Sequence, residues 1–426
     1  MSVRFRWAAV ALASSVVLES CADRATGPSR QLPDAVGLNS SADRVQHGCD
    51  GLPTGTISIV LSPATNRLTV GATVTITATN QHGVAVPSCA LQWSSSNLHV
   101  ATVNAGVVTA VGSGGPVTIT AKADSHGRLS GTAAVTVTAP QWRVVLGTPT
   151  GNPGQLSVWG SPTGRVYASG PSDRLMTVFD GTAWMSIPSS VPNGTQGVFG
   201  FSDNDVYATG GNFAGLAYVL HYNGSAWGAM PGVPQDQFIT AVWGVSPTSL
   251  WATRVDGSVI HYEGSSWTLS ASPSPARLES IFGTSATDIY AVGYNFPSGT
   301  AGYVYHFDGS SWQLVLTTAA GLSRVWARSA SDVWAVGTAG LIVHYDGSSW
   351  SQMSTPTTSD LHGVWGTAGS DVMAVGGSGA ILHYDGVAWS QMVSPTTFDL
   401  GGVWGGGAAN YFAVGLNQGV VVRYAP

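Results

Sequence analysis

Histidines recur at one position of this sequence in a way that could suggest a metal site. In five similar segments a histidine directly precedes an aromatic residue, at His221, His261, His306, His344 and His383. Two further segments hold Val178 and Arg423 there. Equivalent positions in separate copies of a unit are too far apart to share one ion, because metal ligands lie within about 2–2.3 Å of the metal. We therefore interpret these residues as core histidines that hydrogen-bond to a nearby hydroxyl or backbone group, and we expect no metal.

Acidic residues, replaced once by an asparagine, recur in the same segments, each followed by a glycine, at Asp180, Asn223, Glu263, Asp308, Asp346 and Asp385. Catalytic carboxylates must form a close pair whose pKa values differ. A residue that repeats along the chain is instead typical of a turn in which the side chain bonds its own backbone. The sequence contains no Walker loop, GxSxG, HExxH or CxxC motif. We therefore predict no catalytic residue and no cofactor.

These residues belong to a repeated unit whose clearest copy runs from Val325 to Trp350. It holds three short runs of β-branched and aromatic residues separated by Gly, Ser and Asp, and a fourth run begins at its last tryptophan. That tryptophan recurs seven times at intervals of 38 to 45 residues, at Trp142, Trp184, Trp227, Trp267, Trp312, Trp350 and Trp389. The first-run aromatic also recurs seven times, at Trp159, Phe199, Trp243, Phe282, Trp326, Trp365 and Trp404. Four-stranded repeats of this length predict a seven-bladed β-propeller over residues 140–426.

The two ends of this array complement each other. Its first element, Trp142 to Leu146, has the pattern of a fourth run without earlier runs, and its last, Val420 to Tyr424, is a third run without a fourth. We predict that these segments pair, so that the ring closes by strand exchange and leaves no open edge. Both ends of the array would then meet on the face that carries the third-to-fourth turns.

The N-terminus indicates export. Arg4 and Arg6 precede a short apolar run, which predicts a signal peptide over residues 1–21. Leu18, Ser20 and Cys21 resemble the lipobox of bacterial lipoproteins, although Glu19 departs from the small residue usual there. The resemblance implies lipidation of Cys21, with ordinary signal cleavage nearby as the alternative.

The residue after Cys21 is Ala22 rather than the aspartate that retains such lipoproteins at the inner membrane. The resemblance therefore implies the outer membrane or cell surface. Without lipidation of Cys21 the exported protein would be periplasmic or secreted. Residues 22–53 are rich in Ser, Asp, Gly and Pro and predict a flexible tether. With Cys21 lipidated, Cys49 and Cys89 remain as an even pair in an oxidising compartment, which favours a disulfide bond between them.

Residues 54–139 alternate apolar and polar residues in short runs, which predicts a β-sandwich with Trp93 in its core. The segments Trp93–Asn97, Val100–Val103 and Gly106–Ala110 resemble the bacterial Ig-like group 2 family. That family implies a spacer or adhesive module without catalytic residues. The later repeats resemble those of secreted bacterial proteins with VWG, AVG and HYDGSSW motifs, whose function is not established. Their DGSSW turns match the Asp-box of sialidase-type propellers only in part, so no sialidase activity follows.

The composition agrees with an all-β protein of two domains. The chain has 426 residues with 55 glycines and 22 prolines, and only 9% of its residues are charged. Its net charge is −6 and Lys122 is the only lysine, so no basic patch is available for nucleic acid.

The functional site is predicted from loops that differ between repeats. The second-to-third connections vary in length and content, whereas the first-to-second and third-to-fourth connections are monotonous. Loops on a rigid scaffold concentrate binding residues, and exposed aromatic side chains beside amide and charged groups suit recognition. The predicted ligand-binding residues are Asp173, Arg174, Asn212, Phe213, Arg254, Asp256, Asn295 and Phe296.

Two functions of different classes remain open at this stage. The first is a lipid-anchored surface recognition or adhesion protein, monomeric, whose propeller binds a glycan or protein ligand and whose Ig-like module is a spacer. The membrane would be contacted through the lipid anchor only. The second is a propeller hydrolase or lyase that acts on polysaccharide, which would need catalytic groups placed once rather than seven times.

Overall fold

The computed structural model describes residues 52–123, 129–146, 157–170, 175–188, 194–211, 216–271, 276–407, 409–416 and 419–425. The predicted signal peptide and nearly all of the predicted tether lie outside these ranges, and so do Cys21 and Cys49. Within the ranges the chain is all-β, apart from three short 3₁₀ turns at Ser88–Ala90, Thr338–Gly340 and Gly377–Gly379. No helix in this part of the chain is long and apolar enough to cross a membrane.

Ten strands precede the repeated array. They are β1 (Ile59–Ser62), β2 (Thr65–Thr69), β3 (Thr73–Thr75), β4 (Thr77–Asn80), β5 (Ala85–Val86), β6 (Gln92–Ser95), β7 (Ala101–Asn104), β8 (Val107–Ala110), β9 (Gly114–Lys122) and β10 (Ser130–Thr138). They form three sheets, with strand orders β1-β4-β5, β2-β10-β9-β6 and β3-β8-β7. The pairing is antiparallel except between β10 and β2, which is parallel.

These sheets share one hydrophobic core of their own. Alternating side chains of the strands point into it, as in β10, where Ala133, Val135 and Val137 are buried and their neighbours are less so. Trp93 is only partly buried at the edge of this core, where its indole Nε1 donates to the Ser88 carbonyl at 3.2 Å. Cys89 is disulfide-bonded. Its pairing with Cys49 stays a prediction, because Cys49 lies outside the described residues.

In its described residues the repeated array contains 28 strands. They are β11 (Gln141–Leu146), β12 (Ser157–Gly160), β13 (Val166–Ser169), β14 (Leu175–Phe179), β15 (Trp184–Pro188), β16 (Thr195–Ser202), β17 (Asp205–Gly211), β18 (Ala217–Tyr222), β19 (Trp227–Ala229), β20 (Ile239–Ser246), β21 (Ser249–Arg254), β22 (Val259–Tyr262), β23 (Trp267–Ala271), β24 (Arg277–Ser285), β25 (Asp288–Tyr294), β26 (Gly302–Phe307), β27 (Trp312–Thr318), β28 (Leu322–Ser329), β29 (Asp332–Gly337), β30 (Ile342–Tyr345), β31 (Trp350–Gln352), β32 (Leu361–Ala368), β33 (Asp371–Gly376), β34 (Ile381–Tyr384), β35 (Trp389–Gln391), β36 (Leu400–Gly407), β37 (Asn410–Gly415) and β38 (Val421–Ala425).

These strands form repeated antiparallel sheets of four. From β12 to β35 each group of four consecutive strands makes one sheet in simple order, and the last sheet has the order β11-β38-β37-β36. The first strand of each sheet contacts the first strand of the next, and β36 contacts β12. The inner strands therefore form a ring, in which apolar side chains of neighbouring sheets pack together. This is the architecture of a β-propeller.

The predicted pairing of the two ends is present. Strand β11 pairs antiparallel with β38, with Gln141 opposite Ala425 and Trp142 opposite Tyr424. Every sheet packs its fourth-strand tryptophan on a third-strand aromatic ring, with centroids 5.3 to 5.5 Å apart. The exchanged strand reproduces this pair, because the rings of Trp142 and Tyr424 are 5.4 Å apart.

The recurring Val-Trp-Gly sequence is explained by contacts between neighbouring sheets. A Cβ added to Gly366 would lie 2.6 Å from the Trp326 ring of the preceding sheet, and one added to Gly200 would lie 2.8 Å from Trp159. Gly160 has the same relation to Trp404, across the point where the ring closes. At these positions a tryptophan ring thus needs a glycine in the next sheet, because any side chain there would occupy the space of the ring.

Antiparallel order gives the ring two different faces. The turns from first to second and from third to fourth strand share one face, which we call the turn face. The connections from second to third strand share the opposite one, which we call the loop face. Since Gln141 lies opposite Ala425, the chain enters the array and leaves its last strand on the turn face, as the sequence predicts.

Candidate functional site

A funnel opens on the loop face along the axis of the ring. Its volume is about 290 Å³, and its lining includes Gln196, Thr240, Glu279, Tyr294, Ser323, Arg324, Thr338 and His362. Below it a narrow shaft of about 70 Å³ is lined by residues from all the inner strands. Most of the funnel residues come from one position, three residues before the inner aromatic. Because the inner strands run side by side, side chains from distant parts of the sequence meet there.

Glu279 is held in the funnel wall by an ion pair. Its carboxylate forms a short ion pair with the Arg277 guanidinium two residues earlier on β24, where both side chains are about one-fifth exposed. Tyr294 lies nearby, at the end of β25. Burial, and secondarily the nearby Glu279 carboxylate, raises the pKa of Tyr294 above its usual value. The Tyr294 hydroxyl is therefore neutral at physiological pH and can donate a hydrogen bond.

Arg324 lies where the funnel meets the shaft, and it is the one charged side chain that lines both. Its Nε donates to the His362 carbonyl at 3.3 Å, which fixes the guanidinium against the neighbouring inner strand. Burial lowers the pKa of Arg324, and the Glu279 carboxylate opposes this shift. An arginine pKa starts so high that the group stays charged. The bottom of the funnel is therefore cationic.

His362 contributes a neutral imidazole to the wall. Burial lowers its pKa below the usual value, and Arg324 acts in the same direction, while Asp360 and Asp399 oppose the shift. A histidine pKa below its ordinary value of about 6.5 leaves the ring uncharged at pH 7. It can then accept one hydrogen bond and donate one.

Two of the predicted site residues lie at the funnel rim. Phe296 is 66% exposed, and the Arg277 guanidinium lies 5.9 Å from its ring centroid. Asn295 shapes the same connection, because its Oδ1 accepts from the Ala301 backbone N–H at 2.7 Å and its Nδ2 donates to Thr300. An exposed aromatic ring therefore lies above the polar wall formed by β24 and β25.

Arg254 differs from the exposed contact residue that the sequence suggests, whereas Asp256 is exposed. Arg254 is 4% exposed, and its Nη2 lies 2.6 Å from Asp236 Oδ1. The positively charged Arg254 guanidinium beside it lowers the pKa of Asp236. Asp256 accepts from the backbone N–H and hydroxyl of Ser258, at 3.1 and 2.6 Å. The ion pair of Arg254 with Asp236 thus joins the end of β21 to the segment that precedes β20, and Asp256 forms a turn.

The other predicted contact residues, Asp173, Arg174, Asn212 and Phe213, lie outside the described residues. Their role in binding stays a prediction.

The recurring histidines are structural. In four sheets the histidine stacks on an aromatic ring of the second strand. The closest pair is His344 and Trp334, whose ring centroids are 3.8 Å apart. Four of the five hydrogen-bond to an aspartate at the start of the second strand, as His344 does to Asp332 at 2.8 Å. The fifth, His261, lies 3.2 Å from the Ser249 hydroxyl. The sequence predicts a hydroxyl or backbone partner, and a carboxylate replaces it in most sheets.

The recurring acidic turn residues are also structural. Asp346 Oδ1 accepts from the hydroxyl and backbone N–H of Ser348 and from the backbone N–H of Ser349, all within 2.8 Å. These hydrogen bonds, led by that of the Ser348 hydroxyl, lower the pKa of Asp346 to about 2. Asp308 has the same arrangement. In the described part of the chain no cluster of three His, Cys, Asp or Glu side chains could hold a metal ion.

Sequence comparison of the loops misses Glu279, Arg324 and His362, which lie on inner strands. A signal was nevertheless present. The residue three places before the inner aromatic is Gln196, Thr240, Glu279, Ser323, His362 or Gly401 in six repeats, whereas the residue before it is leucine in four of them. Arg324 lies one place further on, where the other five of these repeats have Gly, Ala or Ser. A polar or charged residue that appears once at such a position indicates a side chain that is not packed in the core.

No protein-family model and no curated protein match this chain. Solved structures do match it. YCF48 bound to D1 peptide is 15% identical, with a TM-score of 0.53 over 67% of this chain and 97% of that chain. The WD40 β-propeller domain of Doa1 is 9% identical, with a TM-score of 0.53 over 67% and 97%. Virginiamycin B lyase from Staphylococcus aureus is 11% identical, with a TM-score of 0.57 over 67% and 100%.

These similarities define the class of protein: the array has the β-propeller fold. At such low identities they carry no activity to this chain, because one fold supports unrelated functions.

Proposed function

We propose that this protein is an exported, lipid-anchored recognition protein whose seven-bladed propeller binds a glycan or protein ligand on the loop face. The observation that carries the proposal is the funnel, where charged and aromatic side chains that occur once, rather than in every repeat, converge on the axis. In this proposal residues 54–139 form an Ig-like spacer and residues 22–53 a tether to the outer membrane or cell surface.

Three features support a binding role for the loop face. Its wall combines a fixed carboxylate, a buried guanidinium and a neutral imidazole, so that it can discriminate between ligands by charge and hydrogen bonding. The exposed ring of Phe296 gives apolar contact area at the rim. Two similar propellers also hold ligands: YCF48 was solved with D1 peptide, and an inactive virginiamycin B lyase with Quinupristin.

The proposal is tested with glycan and peptide arrays probed with the mature chain. A loop-face variant, Phe296→Ala with Glu279→Gln, should lose at least tenfold in affinity for the bound ligand. The matched control is Val387→Ala, since Val387 is 84% exposed in a third-to-fourth turn on the turn face. Unchanged binding by a folded loop-face variant, or loss of binding in the control alone, would move the site elsewhere.

A hydrolase or lyase acting on polysaccharide is a second candidate, and one observation favours it. Glu279 and His362 each occur once and line the same funnel, as catalytic groups must. A neutral His362 would be the base. Release of reducing ends or of unsaturated products from a polysaccharide panel, abolished by His362→Ala, would establish an enzyme and replace the recognition function.

A further inference from the structure

The funnel separates charge by depth. Arg324 lies at the bottom, where funnel and shaft meet. Higher up, the negative charge of Glu279 is balanced by the positive charge of Arg277, with which it forms an ion pair. On the loop face Asp360 and Asp399 precede inner strands β32 and β36, and their carboxylates accept from the backbone N–H groups of Ala339 and Ser378 at 2.8 and 2.6 Å. A ligand that reaches the bottom therefore meets positive charge after passing negative charge.

This order selects a ligand with one negative charge at its tip. An anionic tip lies beside the Arg324 guanidinium, where the surroundings are partly shielded from water and an ion pair is stronger than at the surface. A second negative charge farther back would lie near Asp360 or Asp399 and be repelled. A polyanion is thus disfavoured, whereas a neutral chain with a single acidic end group is accepted.

The size and chemistry of the wall limit the end group further. A volume of about 290 Å³ is at the lower end of the roughly 300–1,000 Å³ found for small-molecule pockets, so it takes one compact group. The remaining wall carries the amide of Gln196 and the hydroxyls of Ser323 and Tyr294, with Leu416 as the one aliphatic residue. A peptide end with an apolar side chain would find little apolar wall to pack against. A sugar ring instead brings hydroxyls, which these groups can match.

We propose that the funnel binds the terminal acidic sugar of an otherwise neutral glycan, with the sugar carboxylate against Arg324. Planar guanidinium groups bind carboxylates through two parallel hydrogen bonds, which gives both strength and orientation. The next sugar would lie at the rim against the exposed ring of Phe296. This inference rests on the proposed recognition function and names the ligand class for the same site.

The experiment compares methyl β-D-glucuronide with methyl β-D-glucoside, which has the same ring without the carboxylate, by titration calorimetry on the mature chain. We expect the glucuronide to bind about tenfold or more tightly than the glucoside, since charge-assisted hydrogen bonds are the strong ones. Arg324→Gln should remove that preference, and Arg324→Lys should keep part of it. The control is Arg143→Gln, because Arg143 is exposed on the outer strand β11.

Each outcome decides the inference. Equal binding of the two sugars, or a preference that survives in a folded Arg324→Gln variant, would overturn it. If Arg324→Gln does not fold, the Arg324→Lys variant is titrated at increasing salt concentration. A preference for the glucuronide that decreases with salt supports the ion pair, and a preference that salt does not change contradicts it. Binding of acetyl-trialanine with a free carboxylate, without binding of glucuronide, would assign the funnel to peptide ends. Binding to arrays that depends on the loop face, with no glucuronide binding, would reject the acidic sugar and leave the proposed function intact.

Discussion

Replacing Asp332 by alanine should destabilise the array by removing three hydrogen bonds at once. Its Oδ1 accepts from the Trp334 indole N–H at 2.7 Å and bonds to His344 at 2.8 Å, and its Oδ2 accepts from Arg328 at 2.6 Å. Trp334 is fully buried, and Asp332 is 7% exposed. In the variant Asp332→Ala the indole N–H would therefore have neither its acceptor nor water.

The expected cost follows from the burial of each donor. A buried donor left unsatisfied costs about 1–3 kcal/mol, and this applies in full to Trp334. The side chains of His344 and Arg328 are 20% and 49% exposed, so that water replaces much of what they lose. The total is about 3 kcal/mol. For domains of 150–250 residues this corresponds to a decrease in Tm of roughly 6–12 °C, and the larger array should lie toward the lower value.

The deficit should depend on pH with a definite sign. Burial alone would raise the pKa of Asp332, but the hydrogen bonds from His344, Arg328 and Trp334 outweigh it and lower the pKa. A carboxylate whose folded pKa is below the unfolded value of about 3.9 stabilises the folded state above that pH. Its contribution is lost as the pH falls through the folded pKa. The difference between wild type and variant should thus be full at pH 7 and shrink below about pH 4.

Thermal unfolding followed by circular dichroism measures both effects. Asp332→Ser is the matched variant, because the sheet with His261 uses the hydroxyl of Ser249 at the same place, and we expect about half the loss. An Asp332→Ala protein that melts within about 1 °C of wild type at pH 7 would refute the reasoning. So would a deficit that grows in acid.

Two further predictions concern packing and closure. Gly366→Ala should lower the free energy of unfolding by about 1–3 kcal/mol, because its Cβ would lie 2.6 Å from the Trp326 ring. The control Gly407→Ala should melt like wild type, since no atom lies within 4 Å of the corresponding Cβ. Equal melting of the two variants would show that the Trp326 ring moves aside without cost. Deleting residues 419–426 should remove the shared partner of β11 and β37 and the buried side chains of Val421 and Val422, which contribute about 1.5–3 kcal/mol each. A truncated protein with an unchanged Tm would show that the exchanged strand does not close the ring.

Much of the array could be predicted from the sequence because its information is local and repeated. The alternation within each run and the turn residues between runs predict four-stranded sheets, and the two incomplete ends predict the pairing of β11 with β38. The reason why a glycine follows the tryptophan in the recurring Val-Trp-Gly sequence could not be predicted in the same way. It depends on Gly366 meeting Trp326 from the preceding sheet, and a sequence does not show how neighbouring sheets approach each other.

The site was predicted less well, for two physical reasons. A loop position does not reveal whether its side chain points outward, and Arg254 points inward because Asp236 on the preceding loop offers a partner. The funnel residues lie within strands, where Glu279, Arg324 and His362 resemble ordinary strand positions until the ring brings them to one axis. Of the predicted residues that the structure describes, the loop residues Asn295 and Phe296 are found at its rim.

The exchanged strand also has a consequence for the order in which the array is made. Strand β11 is synthesised before the rest of the array, yet its partner in the sheet is β38, the last strand that the structure describes. Until that partner emerges, the backbone groups of β11 are unpaired, and Val144 and Val145 remain 46% and 42% exposed even after closure. The ring therefore cannot close until β38 has been made, and a chain interrupted before it would leave both β11 and β37 with an open edge.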